Sequence, residues 1–236
     1  MKENLKGEWM NRMLVIISVI MLAVPPAVAA APSGADSLDV VIVFPGAPDL
    51  EKEAGKFVVQ LTALIAREAG VDPSALHGHF FGSAPSALEY LGSHRDSFII
   101  ASLGFFLSHR DSLKLQPLAS VEMTAGPNDR YFLVIRKGKY ASLDDLKGKT
   151  LAGNTLYEDP AFLSKIVFDG KIDVSSYFIL KATPRPLSAL RQLIEDKLDA
   201  VLLDQVQYES LKTLAIFSRI ETIFTSPACR RKVSPG

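Results

Sequence analysis

The chain has 236 residues, enough for one large or two small domains. Hydrophobic residues make up 48% of it and charged residues 22%, as in an ordinary globular protein with a buried core. Lys and Arg number 26, and so do Asp and Glu, so no net charge draws the chain to nucleic acid or to an anionic membrane. The composition therefore favours a globular protein that does not bind nucleic acid.

Residues 1–30 have the order of a secretory signal peptide. A weakly basic start precedes an apolar run from Met13 to Val24, and small residues with an Ala-x-Ala pattern follow at Ala27 and Ala29. The run is short for a membrane span, which needs about 20 residues. We expect export with cleavage near residues 29–31, and a retained membrane anchor is the alternative. The single cysteine, Cys229, allows no internal disulfide, so the core must hold the mature protein together.

Strand and helix patterns alternate along the rest of the chain in two series. The first series predicts strands at LDVVIVFPG and SALHGHFFGS, each followed by a helix, and a strand at SFIIAS followed by a short helix or turn. Strands at LQPLASVEM and RYFLVIRKG come next. The second series predicts strands at KTLAGN, SSYFILKAT, LDAVLLDQ and RIETIFTS, with helices at DPAFLSKIVFDG, RPLSALRQLIEDK and VQYESLKTLA between them. Such alternation predicts an α/β protein with mostly parallel sheets and helices on both faces.

Two phrases of the second series resemble a known family. SLDDLKGKTLAGN resembles the segment that opens the second lobe of periplasmic solute-binding proteins of the type-2 fold. Within that fold it is similar to the phosphonate, sulfonate and thiamine-precursor binding group of ABC transporters. ALRQLIEDKLDAVLLDQVQYESL resembles the later helix–strand–helix phrase of the same proteins. The likeness extends over roughly residues 38–226 and implies two α/β lobes joined by a hinge of two crossing strands.

The resemblance also implies a domain organisation. Residues 1–30 are the signal peptide, residues 31–129 the first lobe, and residues 130–226 the second lobe with its hinge strands. Residues 227–236 form a tail, in the place where the family usually returns to the first lobe. The expected hinge strands lie near residues 130–136 and 219–226.

One turn departs from the phosphonate-binding pattern. In those relatives a Ser/Thr- and Gly-rich turn at the first helix of the second lobe holds the anion through backbone N–H groups. Here the turn reads NTLYEDP, and Glu158 and Asp159 would repel a phosphonate that faced them. The sequence therefore leaves the identity of the solute open.

Ligands of open α/β sheets bind outside the carboxyl ends of the strands. The predicted ligand contacts are polar or aromatic residues at those ends: Ser83, Ser102, Asn154, Thr155, Tyr157 and Asp204. Tyr157 can stack on a flat ligand, and Asp204 can pair with a cation. The alternative for each is a cap or turn residue without a ligand contact, and Ser83 and Asp204 in particular fit ordinary helix caps.

No motif predicts catalysis. The chain lacks a Gly-x-Ser-x-Gly elbow, a P-loop and a His-Glu-x-x-His phrase. His77 and His79 point to one face of a predicted strand, but two histidines do not make a zinc site of three or four ligands. Glu195, Asp196 and Asp199 are interpreted as solvated charges at a helix end. We predict no catalytic residue, no metal and no cofactor.

The resemblance implies a function in solute transport. The expected protein is a periplasmic, monomeric binding component that holds a small polar solute, phosphonate-like or related, between its lobes. Its expected partner is an ABC permease in the inner membrane. The alternatives are an exported sensory or accessory protein of the same fold that signals through a membrane partner, and an enzyme built on the same scaffold.

Overall fold

The computed structural model describes residues 37–46, 51–119 and 130–228. The predicted signal peptide, Cys229 and the second half of the predicted strand LQPLASVEM lie outside the described residues. Within the described ranges, no helix has the length and apolar character needed to cross a membrane.

In the described part of the chain, the first sheet contains three parallel strands, in the order β2–β1–β3. Its elements are, in chain order, β1 (Leu38–Val43), α1 (Glu51–Ala69), β2 (Leu76–Phe81), α2 (Ala84–Ser93), β3 (Ser97–Ala101) and α3 (Leu103–His109). Each strand precedes a helix, as the sequence predicts.

The central strand β1 is buried on both faces because helices cover both sides of the sheet. Ile42 packs with Phe57 and Leu61 of α1. Val41 and Val43, which point the other way, pack with residues of α2 and α3. A continuous apolar run such as VVIV is typical of a strand covered on both faces.

The second sheet contains five strands, in the order β6–β5–β7–β4–β8. Its strands are β4 (Tyr131–Arg136), β5 (Thr150–Gly153), β6 (Ile179–Ala182), β7 (Ala200–Asp204) and β8 (Ile220–Thr225). Its helices are α4 (Pro160–Phe162), α5 (Val174–Tyr177), α6 (Pro186–Ile194) and α7 (Gln205–Leu211). β5 runs parallel to β6 and β7, whereas β4 runs antiparallel to β7 and β8. The second sheet is therefore mixed, and each of its faces carries a separate apolar core.

Three local predictions differ from the structure. The segment DPAFLSKIVFDG forms one α-helical turn and then a π-helical turn over Leu163–Val167. The segment SSYFILKAT begins with the helix α5, which Asp173 caps, and its strand starts only at Ile179. Residues 115–119, at the start of the predicted strand LQPLASVEM, have no regular secondary structure.

The two sheets share no strand among the described residues. β4 and β8, which contain the predicted hinge segments, are antiparallel neighbours in the second sheet. The observed architecture is the predicted α/β class, with helices on both faces of two sheets. The lobe boundaries and the hinge stay predictions.

Candidate functional site

Strand ends from the two sheets meet in a close contact. The contact is formed by residues that follow β1, β3 and β5, and we call it the strand-end site: Gly46, Ser102 and Gly104 on the first-sheet side, and Asn154, Tyr157 and Glu158 on the second-sheet side. All six residues lie just beyond the carboxyl end of a strand, where ligands of open α/β sheets bind.

Two glycines allow this close approach. A Cβ atom on Gly46 would lie 1.9 Å from Asn154 Oδ1 and 2.7 Å from Tyr157 Cδ2. A Cβ atom on Gly104 would lie 2.3 Å from Glu158 Oε2. Any larger residue at either position would therefore displace the side chain that now lies against it.

Asn154 carries a buried oxygen that lacks a hydrogen bond. Its Oδ1 atom is shielded from solvent and has no hydrogen-bond partner within the described part of the chain. A buried polar atom without a partner costs about 1–3 kcal/mol. An N–H or O–H group of a bound solute would remove that cost, so this atom is the best-placed acceptor of the site.

In the turn after Asn154, one side chain points into the protein interior and another lies at the strand-end site. Thr155 and Tyr157 lie in a 3₁₀ turn, Thr155–Tyr157. Thr155 is buried, whereas Tyr157 is 37% exposed and places its ring beside Gly46. Tyr157 is therefore positioned to cover a flat group, while Thr155 supports the turn from inside.

Ser102 joins a helix cap to the strand-end site. Its hydroxyl accepts a hydrogen bond from the Phe105 backbone N–H, over 3.1 Å, and caps α3. The same hydroxyl also hydrogen-bonds the Glu158 side chain. Ser102 thus contacts the second-sheet side directly.

Ser83 and Asp204 are helix caps, as the alternative interpretation anticipates. The Ser83 hydroxyl caps α2 through Ser86, with the two side-chain oxygens 2.9 Å apart. Asp204 caps α7, because the Gln207 backbone N–H donates to Asp204 Oδ1 over 2.8 Å. Of the six predicted ligand contacts, the structure brings the other four, Ser102, Asn154, Thr155 and Tyr157, together around the strand-end site. A ligand contact of any of the six predicted residues stays a prediction.

Glu158 is a site residue that was not among the predicted ligand contacts. Its neighbour Asp159 turns away and caps α4 through the Ala161 backbone N–H. Glu158 instead is partly buried and lies against Gly104. Burial raises the pKa of Glu158 to about 7, the hydrogen bond from Ser102 acts in the opposite direction, and the charge of Asp159 raises the pKa further. No local pattern reveals this burial, because the covering residues come from the other sheet.

A separate pocket of about 670 Å³ lies beside β2 and reaches the start of β1, at the opposite end of the first sheet. The Tyr90 hydroxyl donates to Asp39 Oδ2 over 2.9 Å and lies 2.8 Å from His79 Nε2. Burial and the neighbouring Asp39 raise the pKa of Tyr90 to about 12, so it is a neutral donor. His77 and His79 both approach Asp39, but the described residues contain no group of three or more His, Cys, Asp or Glu placed to hold a metal.

Comparisons with known proteins find similarity in structure alone. No protein-family model matches the chain, and no curated protein matches it in sequence. The binding protein component of an ABC phosphonate transporter from Pseudomonas aeruginosa is 14% identical, with a TM-score of 0.50 over 84% of this chain and 70% of that one. A Xanthomonas citri protein is 15% identical over 82% of this chain and 74% of its own, with TM-scores of 0.57 for its ATP-bound and 0.58 for its chloride-bound structure.

These similarities show the fold. The chain has the two-lobed α/β fold of periplasmic solute-binding proteins, with one sheet in each lobe. The strand-end site accordingly lies between the lobes.

Proposed function

We propose that this chain is a non-catalytic periplasmic protein that binds a small polar solute at the strand-end site and delivers it to an ABC permease of the inner membrane. The observation that carries the proposal is the buried Asn154 Oδ1 atom, which has no hydrogen-bond partner among the described residues and lies where the two lobes meet. The fold supports the proposal, because two facing lobes form a cleft that closes on a ligand.

Each side of the site has a distinct part in binding. Asn154 Oδ1 accepts a hydrogen bond from the solute, and the Tyr157 ring covers a flat portion of it. The Ser102 hydroxyl supplies a further polar contact from the first lobe. Gly46 and Gly104 let the side chains of Asn154, Tyr157 and Glu158 lie directly against the backbone of the first lobe.

The charge at the site narrows the class of solute. Glu158 contributes a carboxyl group, and the residues described around it add no positive charge. An ionised carboxylate and a multiply charged anion in one desolvated site repel each other strongly. An ionised Glu158 would therefore repel a phosphonate-like solute, and a solute rich in N–H and O–H donors fits the site better.

Export and the lobe boundaries belong to the same proposal. Residues 1–30 direct the chain to the periplasm and are removed, residues 31–129 and 130–226 form the lobes, and residues 227–236 form the tail. Mass spectrometry of the protein from the cell envelope tests the cleavage, and a mature chain that still begins at Met1 would contradict it.

Calorimetric titration with a panel of phosphonates, sulfonates, phosphate, amines and pyrimidines tests the binding function. We expect saturable binding of at least one solute with one site per chain. A folded protein that binds none of them would contradict the proposed class of solute. Uptake of the bound solute by cells lacking this gene then separates the two partners, because loss of uptake indicates a permease and unchanged uptake indicates a sensor.

A further inference from the structure

A carboxyl group of the second lobe is buried against the backbone of the first lobe. Glu158 follows the 3₁₀ turn after β5, and its Oε2 atom lies so near Gly104 that a Cβ atom there would be 2.3 Å away. Its side chain also hydrogen-bonds the Ser102 hydroxyl. Glu158 is thus a direct polar connection between the lobes.

The described surroundings of Glu158 offer no positive charge to balance it. From α3 it meets Ser102 and Gly104, and from α4 the ring of Phe162 lies beside the same glycine. From its own segment the nearby charged group is Asp159, which is negative. Removing an ionised carboxylate from water in such a place costs more than the hydrogen bond from Ser102 offsets, so burial favours the protonated form.

We propose that Glu158 is a proton-operated clasp: while protonated it holds the two lobes together, and on losing its proton it leaves the first lobe and lets the cleft open. The clasp rests on the proposed function in one respect, that the two lobes can move apart. It does not depend on which solute binds.

The direction of the pH effect follows from the two environments of the carboxyl group. In the closed protein the pKa of Glu158 is about 7, whereas in an open cleft it returns towards its ordinary value of 4.5. The closed form therefore binds the proton more tightly and is favoured below pH 4.5. As the pH rises from about 4.5 to about 7, the equilibrium constant for opening rises by up to about tenfold per pH unit, and above that range it levels off.

The clasp also affects how a solute enters. A solute must reach the face that Glu158 covers, so the population of open protein limits the apparent affinity. Mild acidification is then expected to weaken the binding of a solute whose own charge does not change.

Small-angle scattering of the purified, solute-free protein between pH 5 and pH 8 tests the clasp. We expect the radius of gyration of the wild type to increase as the pH rises. Glu158→Gln, which is uncharged at every pH, should remain compact throughout. Gly104→Ala, whose methyl group would displace the Glu158 carboxyl, should lose the pH dependence of the wild type. Glu89→Gln, an exposed substitution on α2, is the matched control and should behave like the wild type.

Two outcomes would overturn the proposal. One is a radius of gyration of the wild type that does not change with pH. The other is a Glu158→Gln protein whose radius of gyration increases with pH as in the wild type. If Glu158→Gln does not fold, carbon NMR of the Glu158 carboxyl in the wild type decides. A titration midpoint well above 4.5 supports the buried position that the clasp requires, and one near 4.5 contradicts it. If no solute of the calorimetric panel binds, the proposed function is contradicted. The scattering and NMR measurements still test the clasp, because they use no solute.

Discussion

At the scale of single residues, Gly46 illustrates how backbone conformation controls the strand-end site. Its φ angle is +89°, a value that residues with a side chain rarely adopt. The absent side chain also leaves the space into which Asn154 and Tyr157 project. The positive φ angle and the lack of room for a Cβ atom therefore each favour glycine at position 46.

Replacing Gly46 by Ala should destabilise the protein and separate the lobes. The left-handed conformation alone costs about 1–2 kcal/mol with a Cβ atom present, and the methyl group would collide with Asn154 Oδ1. Gly55→Ala is the matched control, because Gly55 lies exposed within α1 with no atom near its missing Cβ. That substitution should stabilise the protein by about 0.5–1 kcal/mol. Urea denaturation measures the free energy of unfolding of both variants. A Gly46→Ala protein that is more stable than the wild type would contradict this role of Gly46.

At the scale of secondary-structure elements, Asp199 ties three segments of the second lobe together. Its carboxylate accepts hydrogen bonds from Lys139 Nζ over 3.0 Å, from the Tyr140 hydroxyl and from the Thr150 backbone N–H over 3.1 Å. Burial alone would raise the pKa of Asp199, but these three hydrogen bonds outweigh it and lower the pKa. Asp199 thus joins β7 to β5 and to the turn after β4, and it is not the solvated helix-end charge that the sequence indicates.

Replacing Asp199 by Asn should lower the free energy of unfolding at pH 7 by about 1–2 kcal/mol, because charge-assisted hydrogen bonds are lost. The wild type has the depressed pKa, so its advantage is present above the ordinary pKa of 3.8 and is lost as the pH falls below it. Chemical denaturation at pH 7 and at pH 3 should therefore show a smaller difference at pH 3. Asp111→Asn, at a side chain that is 97% exposed, is the control and should change little. An equal difference at both pH values would contradict this role.

The elements show what the sequence can predict and what it cannot. Apolar runs and turn residues locate β1, α1 and α6, because burial of those segments depends on periodicity within a few residues. The helix α5 and the π-helical turn at Leu163–Val167 escape prediction. Tertiary packing decides the conformation of such short segments, since Phe162, Leu163 and Val167 all enter one core.

At the scale of the whole molecule, the function depends on contacts between the two lobes. Strand ends can be located in the sequence, so Asn154 and Ser102 can be predicted as site residues. The burial of Glu158 cannot be predicted, because the backbone that covers it, at Gly104, is 54 positions earlier in the chain and belongs to the other sheet. The neutral overall charge likewise does not reveal that one buried carboxyl group lies between the lobes.

The most direct test of the account is calorimetric titration of the wild type, Asn154→Ala and Ser102→Ala with the panel solute that the wild type binds most tightly. We predict that each substitution weakens binding by about 1–3 kcal/mol, or roughly five- to 150-fold in Kd, because a buried polar partner of the solute is lost. Ser112→Ala, at an exposed hydroxyl that bonds only the His109 carbonyl among the contacts described, is the control and should leave the Kd unchanged. Unchanged affinity in both Asn154→Ala and Ser102→Ala, with the fold intact, would show that the solute does not bind at the strand-end site.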